Sequence, residues 1–258
     1  MVTDGNKYIK IMSFNIRNGG ESDGINGISK RRPIIKKMIE REKPDIIGFQ
    51  EIDSIQRRWM REMLGTEYAL VGGGRDANYR GEGCSVAFKT DIMELVNMET
   101  LWMSDTPNVS GSRYRGVGQS KFPRLFHSLT LKHKEASELL TVINTHLDHV
   151  GTEARRKELE QLLGYIRRCG KNCALMGDFN IQPVEAEMVE FVKSTDALGI
   201  CDVTSHIGVT YHEFGRCASK IDYIYTGLES KDAYAVTDTE NGVFCSDHYP
   251  VCAVVKLP

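Results

Sequence analysis

Six short polar clusters in this 258-residue sequence follow or open apolar, β-rich runs. They are Asn15, Gln50-Glu51, Asn144-Thr145-His146, Asp178-Phe179-Asn180, Asp222 and Asp247-His248. Carboxylates brought together in one cleft repel and raise one another's pKa, so such a set is costly without a cation. The donors are mostly oxygens, which favours a hard ion such as Mg²⁺ or Mn²⁺. A zinc site would ask for more His or Cys. Each cluster also has a purely structural reading. Glu51 can cap a helix, Asp178 and Asn180 can form an Asx turn before Pro183, and Asp247-His248 can be a turn ahead of Pro250. A lone His146 at a strand end is commonly a hydrogen-bonded structural residue. Six coincidences of residue type and position are harder to explain that way than one shared site.

The elements that must position these residues are legible as two periodicities. Runs at 8–14, 45–49, 84–88, 126–131, 139–143, 173–176, 221–225 and 251–255 read as strands. Several lack clean alternation, as strands buried on both faces do. Residues 30–42 place Ile34, Ile35, Met38 and Ile39 on one stripe, and 152–168 do the same with Leu159, Leu162, Leu163 and Ile166. A weaker helix follows Pro183 over 185–195. Glycine-rich stretches at 72–83 and 111–120 read as long loops, which are often functional. The basic runs Lys30-Arg31-Arg32, Arg57-Arg58, Arg155-Arg156-Lys157 and Arg167-Arg168 read as solvated helix faces. Strands with interspersed helices predict packed sheets covered by helices rather than an alternating barrel. With no repeat, low-complexity tract or linker, a single domain over 1–258 is expected.

At these clusters the chain resembles the endonuclease/exonuclease/phosphatase superfamily, the DNase I-like group that includes abasic-site endonucleases, sphingomyelinases, inositol polyphosphate 5-phosphatases and deadenylases. The resemblance lies in Ser-Phe-Asn-Ile-Arg at 13–17, Gly-Phe-Gln-Glu at 48–51, Asn-Thr-His-Leu at 144–147, Gly-Asp-Phe-Asn at 177–180, Ile-Asp-Tyr-Ile at 221–224 and Ser-Asp-His-Tyr-Pro-Val at 246–251. The motifs occur in family order along nearly the whole chain. The resemblance implies a four-layer α/β/β/α sandwich, two packed mixed β-sheets flanked by helices. It implies Glu51 as principal metal ligand, Asp247 completing the metal cluster, and Asn15 adjoining metal or phosphate. Asp178 would position or deprotonate water, and Asn180 would hold a phosphate oxygen. His248, oriented by Asp222, would contact the scissile phosphate, and His146 would stabilise charge building on its oxygens. One position departs: some nuclease branches carry an acid two residues after the first-strand Asn, where this chain has Arg17. Asp148 is the candidate replacement for that charge. Features such as Gly72-Gly73-Gly74-Arg75-Asp76, Pro123-Arg124 and His146-Leu147-Asp148-His149-Val150-Gly151 resemble a largely bacterial branch.

Outside the motifs, Arg75, Arg113, Arg115 and Arg124 are candidate phosphate contacts, because a guanidinium fork matches phosphate oxygens. Arg124 and Arg75 are carried forward as substrate-binding. Trp102 and Tyr114 are either stacking platforms or core. The net charge of −2 provides no field for polyanions, so nucleic acid is a possible partner that charge does not indicate. A phosphate-ester substrate, small or single-stranded, is the expected partner, with no membrane and no obligate protein. Met1–Lys7 lacks a leader's apolar core, and seven scattered cysteines without a Cys-x-x-Cys pair read as reduced thiols, together suggesting a cytoplasmic protein. Two alternatives to a Mg²⁺- or Mn²⁺-dependent phosphoesterase stay open: a sequence-tolerant nuclease, and a non-catalytic binding protein on the same fold.

Overall fold

The computed structural model describes residues 8–258. In chain order it contains β1 (Tyr8–Asn15), α1 (Ile28–Glu42), β2 (Ile46–Gln50), α2 (Ser54–Leu64), β3 (Tyr68–Val71), β4 (Val86–Lys89), β5 (Met93–Trp102), β6 (Leu125–His133) and β7 (Leu139–His146). There follow α3 (Thr152–Cys169), β8 (Cys173–Asp178), α4 (Ala186–Asp196), β9 (Cys201–Asp202), β10 (Asp222–Thr226), β11 (Ser230–Ala235), β12 (Thr239–Glu240), β13 (Val243–Phe244) and β14 (Val251–Lys256). Two six-stranded mixed sheets form, ordered β11-β14-β1-β2-β4-β3 and β5-β6-β7-β8-β10-β9. Each has one parallel pair, β1 with β2 and β7 with β8, among antiparallel neighbours.

Side chains on a strand alternate between faces, and here both faces are buried. In β1, Ile9 and Ile11 enter the core between the sheets, whereas Met12 and Phe14 pack with Ile35 and Met38 of α1 and Met60 of α2. In β7 and β8, Leu140, Val142, Ala174 and Met176 face the first sheet, while Ile143 and Leu175 pack with Leu159 and Leu162 of α3 and Phe191 of α4. The result is the α/β/β/α sandwich.

The same period of two places the chemistry. Continuing the inter-sheet face along each strand leads from Ile9 and Ile11 to Ser13 and Asn15, from Ile46 to Gln50, and from Leu140 and Val142 to Asn144 and His146. It leads from Ala174 and Met176 to Asp178. Antiparallel pairing brings the start of β10 to the same end, Asp222 lying opposite Asp178. β14 runs antiparallel to β1 with Val251 opposite Ser13, so the preceding Asp247-His248 arrives there too. Where the layer turns from apolar to polar the sheets are tied together. Asn144 Nδ2 donates to the carbonyls of Phe49 and Cys84, each at 2.9 Å, and Gln50 Nε2 donates to Asn144 Oδ1 at 2.7 Å. Gly48 permits this approach, since a Cβ there would lie 2.7 Å from Asn144 Oδ1 and 2.8 Å from Met176 Sδ.

Every strand and helix read from the sequence is present, and several elements are added. α2 begins at Asp53, whose side chain accepts from the amides of Ile55 and Gln56. β5 is a largely exposed strand at the sheet edge with a register shift between Leu95 and Asn97, which breaks its alternation. Two basic runs are not simply solvated. Arg31 is fully buried and donates to the carbonyls of Ile16, Arg17, Asn26 and Cys245. Arg155 is buried against Glu187, 3.0 Å away. All seven cysteines are unpaired, four of them buried. Among the described residues no helix is long and apolar enough to cross a membrane. The leader reading of Met1–Lys7 falls outside the described residues.

Candidate active site

Asn15, Glu51, His146, Asp178, Asn180, Asp222, Asp247 and His248 converge on one cleft of about 390 Å³, and all but Asn15 and Asp222 line it directly. Asn15 Nδ2 donates to Asp178 Oδ2 at 2.9 Å and to Glu51 Oε1 at 3.1 Å, joining the two sheets beneath the cleft. Asn15 Oδ1 accepts from the Arg17 amide, fixing the turn that leaves β1. Glu51 has φ 59°, a left-handed conformation that costs a non-glycine residue about 1–3 kcal/mol. The Asn18 amide holds its Oε2 at 2.6 Å. Asp178 Oδ1 accepts from the Asn180 amide at 2.9 Å, and Asn180, itself at φ 52°, donates Nδ2 to the Leu147 carbonyl. One Nδ2 hydrogen of Asn180 is thereby used, and the other is left for the cleft.

Around Asp178 the electrostatics are tense. His248 Nδ1 lies 2.9 Å from Asp222 Oδ2, and its Nε2 lies 3.7 Å from Asp178 Oδ2. His146 Nε2 approaches the same Asp178 oxygen at 3.5 Å. Burial raises the Asp178 carboxyl, and Asp222 raises it further against the opposing pull of His248. Burial opposes charge on His248, but Asp222 and Asp178 outweigh it and hold the imidazole protonated well above its ordinary range. His146 is driven the other way, first by burial and then by Arg124 and Arg75, and stays neutral. Two histidines in one cleft thus hold different protonation states, which suits one to carry charge and the other to donate a single N–H.

Two groups of acids invite a cation. Burial, then Asp247 and Glu82, push the Glu51 carboxyl up, so this side of the cleft carries repulsion that a divalent ion would relieve. Glu51 and Asp247 supply carboxylate oxygens suited to Mg²⁺ or Mn²⁺, and Asn15 braces Glu51 from below through Nδ2. Asp178, Asp222 and His248 also bring ligand atoms within 4.8 Å of one another. There, Nδ1 of His248 is already paired with Asp222 Oδ2.

Sequence-based candidates outside the motifs divide sharply. Arg75 and Arg124 reach the cleft; Arg113 and Arg115 are exposed and do not line it. Trp102 and Tyr114 are buried, Trp102 donating Nε1 to the Arg75 carbonyl and Tyr114 its hydroxyl to Gln161. Asp148 does not replace the missing acid after Asn15. It is fully buried and accepts from the amides of Ser120, Val150 and Gly151, bracing the rim away from the cleft. Arg17 lines the cleft, 3.3 Å from Asp23 and 3.7 Å from Asp247. Glu82 and His149, from stretches already marked in the sequence, line it too, as do Asn18, Phe122 and Tyr211, which the sequence did not single out; the Tyr211 ring centroid lies 4.8 Å from that of His248. Phe122 and Tyr211 carry no strand-end signal, and only their position on the folded chain selects them.

The sequence profile of the endonuclease/exonuclease/phosphatase family matches residues 12–248. A solved endonuclease/exonuclease/phosphatase protein of Bacteroides vulgatus is 26% identical, with TM-score 0.88 over 98% of this chain and 100% of its own. A mannosyl-6-phosphatase of Bacteroides thetaiotaomicron is 26% identical, with TM-score 0.86 over 96% of this chain and 99% of its own. Protein L388 of Acanthamoeba polyphaga mimivirus is 26% identical over 183 residues, 67% of each chain.

Proposed function

Because the chain belongs to the endonuclease/exonuclease/phosphatase family, whose members hydrolyse phosphate esters, we propose that it is a divalent-metal-dependent phosphoesterase acting on a small or single-stranded substrate. The observation that carries this reading is the convergence of both sheets' strand ends on one cleft. Asp178 there stands within 3.7 Å of two histidines in opposite protonation states. Phosphoryl transfer needs in-line positioning and neutralised oxygen charge more than a protein nucleophile. Asp178 Oδ2, held by Asn15, orients a water and accepts its proton. His248, fixed by Asp222, offers Nε2–H to a phosphate or leaving-group oxygen. Neutral His146 and the free Asn180 hydrogen donate to the remaining oxygens. Glu51 and Asp247 would hold Mg²⁺ or Mn²⁺, with Asn15 bracing Glu51. Such an ion supplies Lewis-acid polarisation of the phosphate and a more acidic water.

The relative that acts as a mannosyl-6-phosphatase supports a small polar substrate, as does the cleft's size. The near-neutral net charge weighs against a duplex nuclease. The test is hydrolysis of p-nitrophenyl phosphate, bis-p-nitrophenyl phosphate and single-stranded oligonucleotides, with Mg²⁺, Mn²⁺ or EDTA. Activity that EDTA abolishes and Mg²⁺ or Mn²⁺ restores is expected. Silence across the panel in a folded protein would leave the fold to a binding role. A strong fall in activity with added salt on the oligonucleotide alone would favour the nuclease.

A further inference from the structure

Beside His146 the cleft ends in a wall of two guanidiniums, each with a carboxylate near it. Arg124 is 3% exposed, yet neither its Nε nor its Nη1 has a hydrogen-bond partner. Its Nη2 lies 2.8 Å from His149 Nδ1, and Asp148 stands 3.7 Å from its Nε, outside hydrogen-bond reach. Arg75 is 8% exposed, pairs with Glu82 at 2.8 Å and lies over the Phe122 ring, 4.5 Å from its centroid. Both guanidiniums line the cleft together with His146. They also share with it an adjoining void of about 10 Å³. A desolvated guanidinium with unfilled N–H groups is costly unless a ligand supplies the acceptors. The wall is cross-braced as well: Trp102 holds the Arg75 carbonyl, Asn18 reaches Glu82, and Ser120 binds Asp148.

We infer that this wall selects a terminal phosphomonoester dianion over a phosphodiester. The inference rests on the phosphoesterase reading above and deepens it. Arg124 lines the same cleft as Asp178, His146 and His248, so a phosphate seated there can turn outer oxygens to its guanidinium. In a monoester those oxygens carry two negative charges and fit a guanidinium fork. In a diester one of those oxygens carries an ester group instead, which sets an uncharged substituent against the guanidinium and leaves N–H groups unfilled.

The test compares kcat/KM for p-nitrophenyl phosphate with that for methyl p-nitrophenyl phosphate in Mg²⁺, and titrates inorganic phosphate into the same proteins calorimetrically. The wild type should favour the monoester. Arg124→Gln should lose about 100-fold on the monoester and less than about tenfold on the diester, and bind phosphate at least about tenfold more weakly. Arg124→Lys, which keeps the charge without the fork, should fall between them, and serves should the glutamine variant not fold. Equal losses on both substrates, a wild-type preference for the diester, or phosphate binding indifferent to Arg124 would overturn the assignment. A wild type that hydrolyses neither ester but binds phosphate through Arg124 would sink the catalytic reading and leave the anion site standing.

Discussion

The floor of the cleft and its rim are built on different principles. The floor is strand ends: Asn15, His146, Asp178 and Asp222 are terminal residues of β1, β7, β8 and β10, and backbone ladders fix their positions. The rim is loop: Arg75, Phe122, Arg124 and His149 depend on side-chain braces such as Asp148 on Ser120 and Trp102 on the Arg75 carbonyl. A floor set by sheet register can hold reacting groups to the tolerance catalysis needs. A rim set by loops can change substrate without disturbing them. If that division is right, substitutions in the floor should remove activity wholesale, and those in the rim should redistribute it.

The largest effect should come from Asp178→Asn, which removes the base while keeping its shape. We expect kcat to fall at least about 100-fold. The metal-free variant should stay folded at pH 8, because relief from burying an ionised carboxyl offsets part of the cost of turning an amide NH2 toward Asn15 or the Asn180 amide. Parallel rate assays and thermal melts check both parts. A variant that melts much lower would place Asp178 among the structural residues.

Next in size is Arg31→Ala, at a residue that does not line the cleft. Its four carbonyl partners span the turn leaving β1 and the segment carrying Asp247. Orphaning them and opening a cavity should cost about 3 kcal/mol or more in denaturant unfolding. A loss under about 1 kcal/mol would show that the turn is held by other contacts.

A smaller, pH-dependent effect belongs to the rim's support. Glu158 is fully buried, and burial pushes its carboxyl up to about 8 against the Asp148 amide it accepts from. A carboxyl raised on folding stabilises most below its unfolded pKa, and that contribution is lost as pH rises through the folded value. Wild-type stability should therefore fall between about pH 4.5 and 8 by a component absent from Glu158→Gln. Unfolding curves across that window measure it, and identical pH slopes for the two proteins would refute it. The smallest effect is expected from Arg113→Ala, an exposed residue outside the cleft: within about 0.5 kcal/mol and with unchanged kcat/KM. A clear loss of activity there would extend the rim beyond the residues assigned to it.

The same division explains what the sequence could reveal. The floor was readable because strand termini announce themselves as a polar residue ending an apolar run, and the family motifs repeat that signal six times. β10 shows why pairing direction mattered: Asp222 begins its strand, and only antiparallel pairing with β8 brings it to the ends of the others. Arg31 was hidden because a run of three basic residues looks the same whether its middle member faces water or a set of carbonyls. Asp148 reads as spare charge for a metal, but its oxygens are taken by backbone amides. Phe122 and Tyr211 come from loops with no periodicity, so nothing local marks them, whereas His149 stands in a stretch the sequence already marks.

The central claim is that Glu51 and Asp247 complete a cation site at the convergence of the two sheets. Calorimetric titration of Mn²⁺ into the wild type, Glu51→Gln and Asp247→Asn tests it without a substrate. Saturable binding in the wild type, weakened at least about tenfold in either variant, is the predicted result. Absence of binding in the wild type, or binding that neither substitution alters, would contradict it.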